Sequence, residues 1–155
     1  MVEPSSDRRA VFRGVVSLAL HDGNLSFGEK RLITKLAMAL RLDDDEPKMI
    51  YDAILEEEKL EEGHPLTISE KFTAYEQVLE TFLINTNKTD DELRMIAYLR
   101  RVFEISDSEH RAILSSLDRQ LEDIVHRNVK QSIRFELKEI NKRLSEILES
   151  VRIQR

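Results

Sequence analysis

The chain has 155 residues, 41% of them hydrophobic and 35% charged, with 30 acidic against 24 basic side chains and a net charge of −6. That length suits one domain with an ordinary core and excludes disorder throughout. The scarcity of Gly and Pro, four and three, excludes a turn-rich β sandwich, the wealth of Leu, Ile, Ala, Glu, Lys and Arg points to an all-α fold, and the absence of Cys removes disulfides, thiolate nucleophiles and Cys-based metal centres.

Residues 1–9 are polar, without the apolar stretch of a signal peptide, and read as a flexible N-terminus. No apolar run approaches the roughly 18 residues of a membrane span, so a soluble, cytoplasmic chain is expected. Phe12, Val15, Val16 and Ala19 recur at helical spacing and predict an amphipathic helix that stops near His21-Asp22-Gly23. Ser26 with Glu29 is a capping box that opens a second helix, whose inner stripe is Leu32, Ile33, Leu36 and Leu40. The run Asp43-Asp44-Asp45-Glu46-Pro47 starts a third, with carboxylates at the positive helix end and Pro where a missing N–H does no harm. Its inner face is Met49, Ile50, Ala53 and Ile54, and Gly63-His64-Pro65 is expected to break it.

The plan then repeats. A helix is expected from about Ser69 to Ile84, a loop at Asn85-Thr86-Asn87-Lys88, a box at Thr89/Glu92 and a further box at Ser106/Glu109, opening a sixth helix with no breaker before Val125. Shifted by 63 residues, the chain overlays itself without a gap: Phe12, Val15 and Val16 fall on Tyr75, Val78 and Leu79, Ser26 and Glu29 on Thr89 and Glu92, and Leu36 on Leu99. Matching apolar periodicity is common between helices, but matching caps and element lengths in one register is not. The expectation is two three-helix units, 10–62 and 69–125, packed as one domain over 10–125, followed by a long helix over 126–155.

The segment Leu20-His21-Asp22-Gly23-Asn24-Leu25-Ser26-Phe27-Gly28-Glu29, followed by Leu32-Ile33-Thr34-Lys35-Leu36-Ala37, resembles the tellurite-resistance TerB-like family. The resemblance covers about Ala10 to Val125. It implies a duplicated all-helical fold, a link to tellurite and other stress responses, divalent metal binding at an acidic surface, and complexes assembled at the membrane. Carried over by position, the metal-binding residues are Asp22 and Glu29 in the first unit and Asn85 and Glu92 in the second. The second Asp-Gly has become Asn85-Thr86, which puts a neutral oxygen where a carboxylate stood.

Read from the residues alone, both boxes are explained by helix capping and Asp22-Gly23 by a turn. The oxygen donors suit weakly held Ca²⁺ or Mg²⁺. A calcium EF-hand is excluded: with Gly23 at the sixth loop position, the first and third ligands become Leu18 and Leu20. The histidines His21, His64, His110 and His126 fit no ligand spacing and are expected at the surface or in loops. With no phosphate loop and no nucleophile elbow, an enzyme is not expected.

The tail carries eight Lys/Arg and four Glu from His126 onward, a charge of +4, against 16 basic and 26 acidic residues, a charge of −10, before it. A solvated helix face explains those charges, and no nucleic-acid partner is expected. Ile133, Leu137, Ile140, Leu144, Ile147 and Val151 are spaced as a heptad seam. This predicts homo-oligomerisation or docking of a partner protein through the C-terminal helix, the alternative being that the tail folds back on its own body. The expected function is a non-enzymatic TerB-like interaction module, responsive to a weakly bound divalent cation; the alternative is a helical adaptor whose acidic loops are only caps.

Overall fold

The computed structural model describes residues 7–61, 63–122 and 140–148. The expected N-terminus (1–9), apart from Asp7 to Arg9, and residues 126–139 and 149–155 of the expected tail helix lie outside these residues. Among the described residues the fold is all-helical: α1 (Arg8–Ala19), a 3-10 turn (Leu20–Asp22), α2 (Phe27–Ala39), α3 (Glu46–Leu55), α4 (Ile68–Asn85), α5 (Asp90–Val102), α6 (Asp107–Glu122), and a helical segment over 140–148. Their only β pairing is an isolated bridge between Asp7 and Pro65.

Local chemistry sets the helix starts. Asp7 caps α1 by accepting from the Arg9 N–H at 2.8 Å. Capping boxes open α2 at Ser26/Glu29 and α5 at Thr89/Glu92, as expected. A further box, Thr67/Glu70, opens α4 just ahead of the predicted start. At α3 the Glu46 carboxylate reaches back to the Asp43 N–H at 2.8 Å, with Pro in the first turn. Gly23, at φ 84°, closes the 3-10 turn in the left-handed region that glycine enters without strain.

Helix α3 ends at Leu55, well before the expected breaker at Gly63. The helix closes on Glu57, at φ 55°, with the Glu58 N–H returned to Ala53 at 2.9 Å, and arginines of α1 hold the chain beyond it. Arg13 donates to the Glu58 carbonyl at 2.6 Å, and Arg8 to the carbonyls of His64 at 2.9 Å, Pro65 at 3.1 Å and Leu40 at 2.8 Å. Arg9 pairs with Glu46 at 2.6 Å. These bonds tie the connection between the two expected units to the start of the fold.

The core joins α1 to α6 with the 140–148 segment. It includes Phe12, Val15, Val16, Leu32, Leu36, Leu40, Tyr75, Phe82, Leu93, Ile96 and Leu99, all at 1% exposure or less. Helix α2 packs on α4 and α1 on α5, and α2 also touches α5. Gly14 admits the Tyr98 ring against α1. The expected inner positions of α2 are met at Leu32, Leu36 and Leu40, with Ile33 half-buried; in α3, Met49 faces outward instead at 38% exposure.

Helices α2 and α5 are each 13 residues long and lie 63 residues apart at both ends. Their closures match as well. Arg41 and Glu104 adopt φ of 56° and 55°, and the next residues, Leu42 and Ile105, return their N–H groups to Ala37 and Arg100 at 3.1 and 2.9 Å.

Candidate functional site

The four residues assigned to a metal are only partly brought together. Glu29 and Glu92 are almost fully buried, at 5% and 1% exposure. Each uses an oxygen in its own cap: Glu29 Oε1 accepts from Ser26 N–H at 2.9 Å, and Glu92 Oε2 from Thr89 N–H at 3.2 Å. The other Glu92 oxygen lies against Gly28, so this carboxylate fills the space that a side chain on the first turn of α2 would occupy. Asn85 is exposed at the end of α4. Asp22 lies in the 3-10 turn, and its side chain is outside the described part of the structure.

Among the described residues no three His, Asp or Glu side chains converge as a cation would require. Ca²⁺ takes six to eight oxygens, several of them carboxylate, whereas Mg²⁺ takes six, one or two of them carboxylate and most of the rest water. Two carboxylates, each already committed to a backbone N–H, do not form the calcium set. The described part of the site therefore lacks the donor set of a calcium ion and reads as a pair of helix caps.

The seam residues Ile133, Leu137 and Val151 lie outside the described residues. Ile140 and Leu144 are 4% and 1% exposed and belong to the core of their own chain, with Ile147 packed against it. In this arrangement their apolar faces are turned into the body and are not offered to another chain. Arg101 donates to the Leu148 carbonyl through Nε at 3.0 Å and Nη2 at 2.6 Å. Arg143 donates to the Lys88 carbonyl at 3.1 Å and pairs with Asp90 at 2.5 Å, which holds the Asp90 carboxyl below its usual range.

His110, expected at the surface, is 3% exposed. Its Nδ1 lies 2.8 Å from the Tyr75 hydroxyl and its Nε2 3.0 Å from Asn141 Oδ1, linking α4, α6 and the 140–148 segment. Burial pushes the imidazole below its usual pKa, against the bond to Asn141; Arg100 and Arg111 push the same way and Asp107 opposes them. Burial also pushes the Tyr75 phenol up, so it keeps its proton. The pattern closes with a neutral ring: Tyr75 O–H donates to Nδ1, and Nε2–H donates to Asn141. The signal for burial was present, since His110 precedes Leu114 and Leu117 by one and two helical turns on the same stripe. Its partner, 31 residues away, gave no local sign.

Beside α3 lies a cavity of about 660 Å³, lined in part by Arg9, Asp45, Lys48, Asp52, Lys59 and Glu61. It mixes charges of both signs and has no histidine, serine or threonine in its wall. Among the described residues no helix is long and apolar enough to cross a membrane. The chain matches no family model, no curated protein and no solved structure.

Proposed function

We propose that this protein is a TerB-like helical interaction module, built from two repeated units and acting by holding partner proteins rather than by chemistry of its own. The observation that carries the reading is the recurrence of α2 in α5: equal length, the same reciprocal cap, the same left-handed closure and one offset of 63 residues at both ends. The cap recurs at α4 and α6 and the left-handed closure at α3, so the weight rests on cap and closure falling in one register, 63 residues apart, in this pair. The exposed apolar side chains on α2, Phe27 and Met38, support partner binding.

The module needs no bound cation. The adaptor form of the reading, in which Glu29 and Glu92 are only caps, is favoured because both carboxylates bond their own helix starts. The native complex, purified from its source under mild conditions, is expected to have a defined mass well above the 18.1 kDa of the chain. Recovery only as free chain, together with turnover of a peptide or phosphoester substrate, would overturn the proposal. Titration with Ca²⁺, Mg²⁺, Mn²⁺ and Zn²⁺ separates the two forms: saturable binding abolished by Glu92→Gln would restore the cation.

A further inference from the structure

On α5, the 140–148 segment is gripped at two places three turns apart on one face: Arg143 reaches Asp90, and Arg101 holds the Leu148 carbonyl. Between them, Leu93 and Ala97 are fully buried. This is a helix-docking face with charged ends and an apolar middle. Sixty-three residues earlier, the same four places on α2 are Phe27, Lys30, Thr34 and Met38. All four are exposed, Phe27 at 71% and Met38 at 68%, and Arg31 lies over the Phe27 ring at 4.5 Å.

The polarity is inverted. Where α5 has Asp90 and Arg101, α2 has large apolar side chains about 16 Å apart on one face; where α5 has Leu93 and Ala97, α2 has Lys30 and Thr34, flanked by Arg31 and Lys35. A second copy of the 140–148 segment does not match this face. Its Arg143 would meet Phe27 instead of Asp90, and its last carbonyl would meet Met38 instead of the Arg101 guanidinium. Charge points to a different occupant, because α2 carries Lys30 and Arg31 exposed and Lys35 half-buried on a body whose first 125 residues stand at −10. We propose that the exposed face of α2 docks an acidic amphipathic helix of another protein, with apolar side chains three turns apart seated on Phe27 and Met38 and carboxylates between them facing Lys30, Arg31 and Lys35.

The proposal rests on reading α2 and α5 as repeated helices and deepens it by naming the partner's chemistry. Helix-in-groove recognition uses such spaced apolar anchors, and the basic centre supplies selectivity against basic helices. The probe is a synthetic 15-residue helical peptide with Leu at positions 2 and 13 and Glu at the intervening outward positions, compared with a twin in which Lys replaces Glu. Binding to the full chain is followed by amide chemical shifts and by anisotropy of the labelled peptide.

The acidic peptide is expected to shift amides of α2. Its affinity should fall roughly tenfold or more in Phe27→Ser/Met38→Ser, weaken in high salt, and stay unchanged in Arg101→Ala. Both substituted side chains are exposed, so circular dichroism should show the fold intact. Equal binding of the Lys peptide, shifts confined to other helices, or no shift at millimolar peptide would overturn the proposal. So would a concentration-dependent rise in mass abolished by the same double variant, which would assign the face to a second copy. A defined native complex with no peptide effect on α2 would sink this inference and leave the module reading standing.

Discussion

Helices α2 and α5 start from the same kind of reciprocal cap and close on a left-handed residue at the matching place, Arg41 and Glu104, yet α5 buries nine of its residues and α2 only four. Their neighbours account for the difference. Both touch α4, α1 and each other, but α5 alone is overlaid by the 140–148 segment, bonded at Asp90 and Arg101. Helix ends are determined within a few residues, whereas burial depends on what the rest of the chain lays across a face. One local design thus serves as a central helix in one place and a half-open one in the other.

The sharpest way to break the comparison is to truncate equivalent positions. Leu93→Ala removes a fully buried side chain and is expected to destabilise by about 2–5 kcal/mol. Lys30→Ala, at the matching exposed place on α2, should stay within about 0.5 kcal/mol. Urea unfolding of the two variants measures both; similar losses would mean that the faces are not differently covered.

The second prediction removes the cover from α5 by acid. His110 is held below its usual pKa while the segment is docked and returns to about 6.5 when exposed. Docking is therefore fully favoured above about pH 6.5 and weakens as pH falls below it, until the lower docked pKa is reached. The chain has no Cys, so Ser115→Cys and Ser145→Cys, both exposed positions, take a pair of spin labels uniquely. The distance between them should lengthen or broaden from pH 7.5 to 5. This range lies above that in which Asp90, kept low by Arg143, takes up a proton. His110→Gln should flatten the response, and Asn141→Asp, which sets a carboxylate against the ring, should oppose it; a response unchanged in both would exclude His110 as its source.

The smallest effect tests what the two helices share. Ser26→Ala and Thr89→Ala each remove a hydroxyl that accepts from the third helical N–H, at 3.1 and 3.2 Å, and each should destabilise by about 1 kcal/mol. A several-fold difference between them would show that the caps are not equivalent despite their geometry.

The sequence was most legible where causes are local. Ser26/Glu29, Thr89/Glu92 and Ser106/Glu109 act over three residues, and each does so in the structure. Thr67/Glu70 has the same form, two residues ahead of the start expected at Ser69. The early end of α3 was not legible, since Glu56-Glu57-Glu58 contains no Gly or Pro, yet Glu57 takes the left-handed closure itself and Arg13, 45 residues away, holds the Glu58 carbonyl beyond it. The seam of Ile140 and Leu144 reads alike whether another chain or its own body covers it, because periodicity specifies an apolar face and not its occupant. At the candidate site, the caps were readable but the approach of Glu92 to Gly28 was not, as it depends on how α2 and α5 cross.

That approach makes the two helix starts mechanically dependent. Glu92 caps its own helix while resting on the bare backbone of α2. Fraying of the first turn of α2 removes the wall behind the carboxylate, and loss of the carboxylate opens a void beside α2. The opening free energies of the two first turns are thereby tied, so the two helix starts are expected to open as one cooperative unit. An alanine at position 28, ordinarily a gain for a helix, would force the two starts apart and let each half loosen without the other.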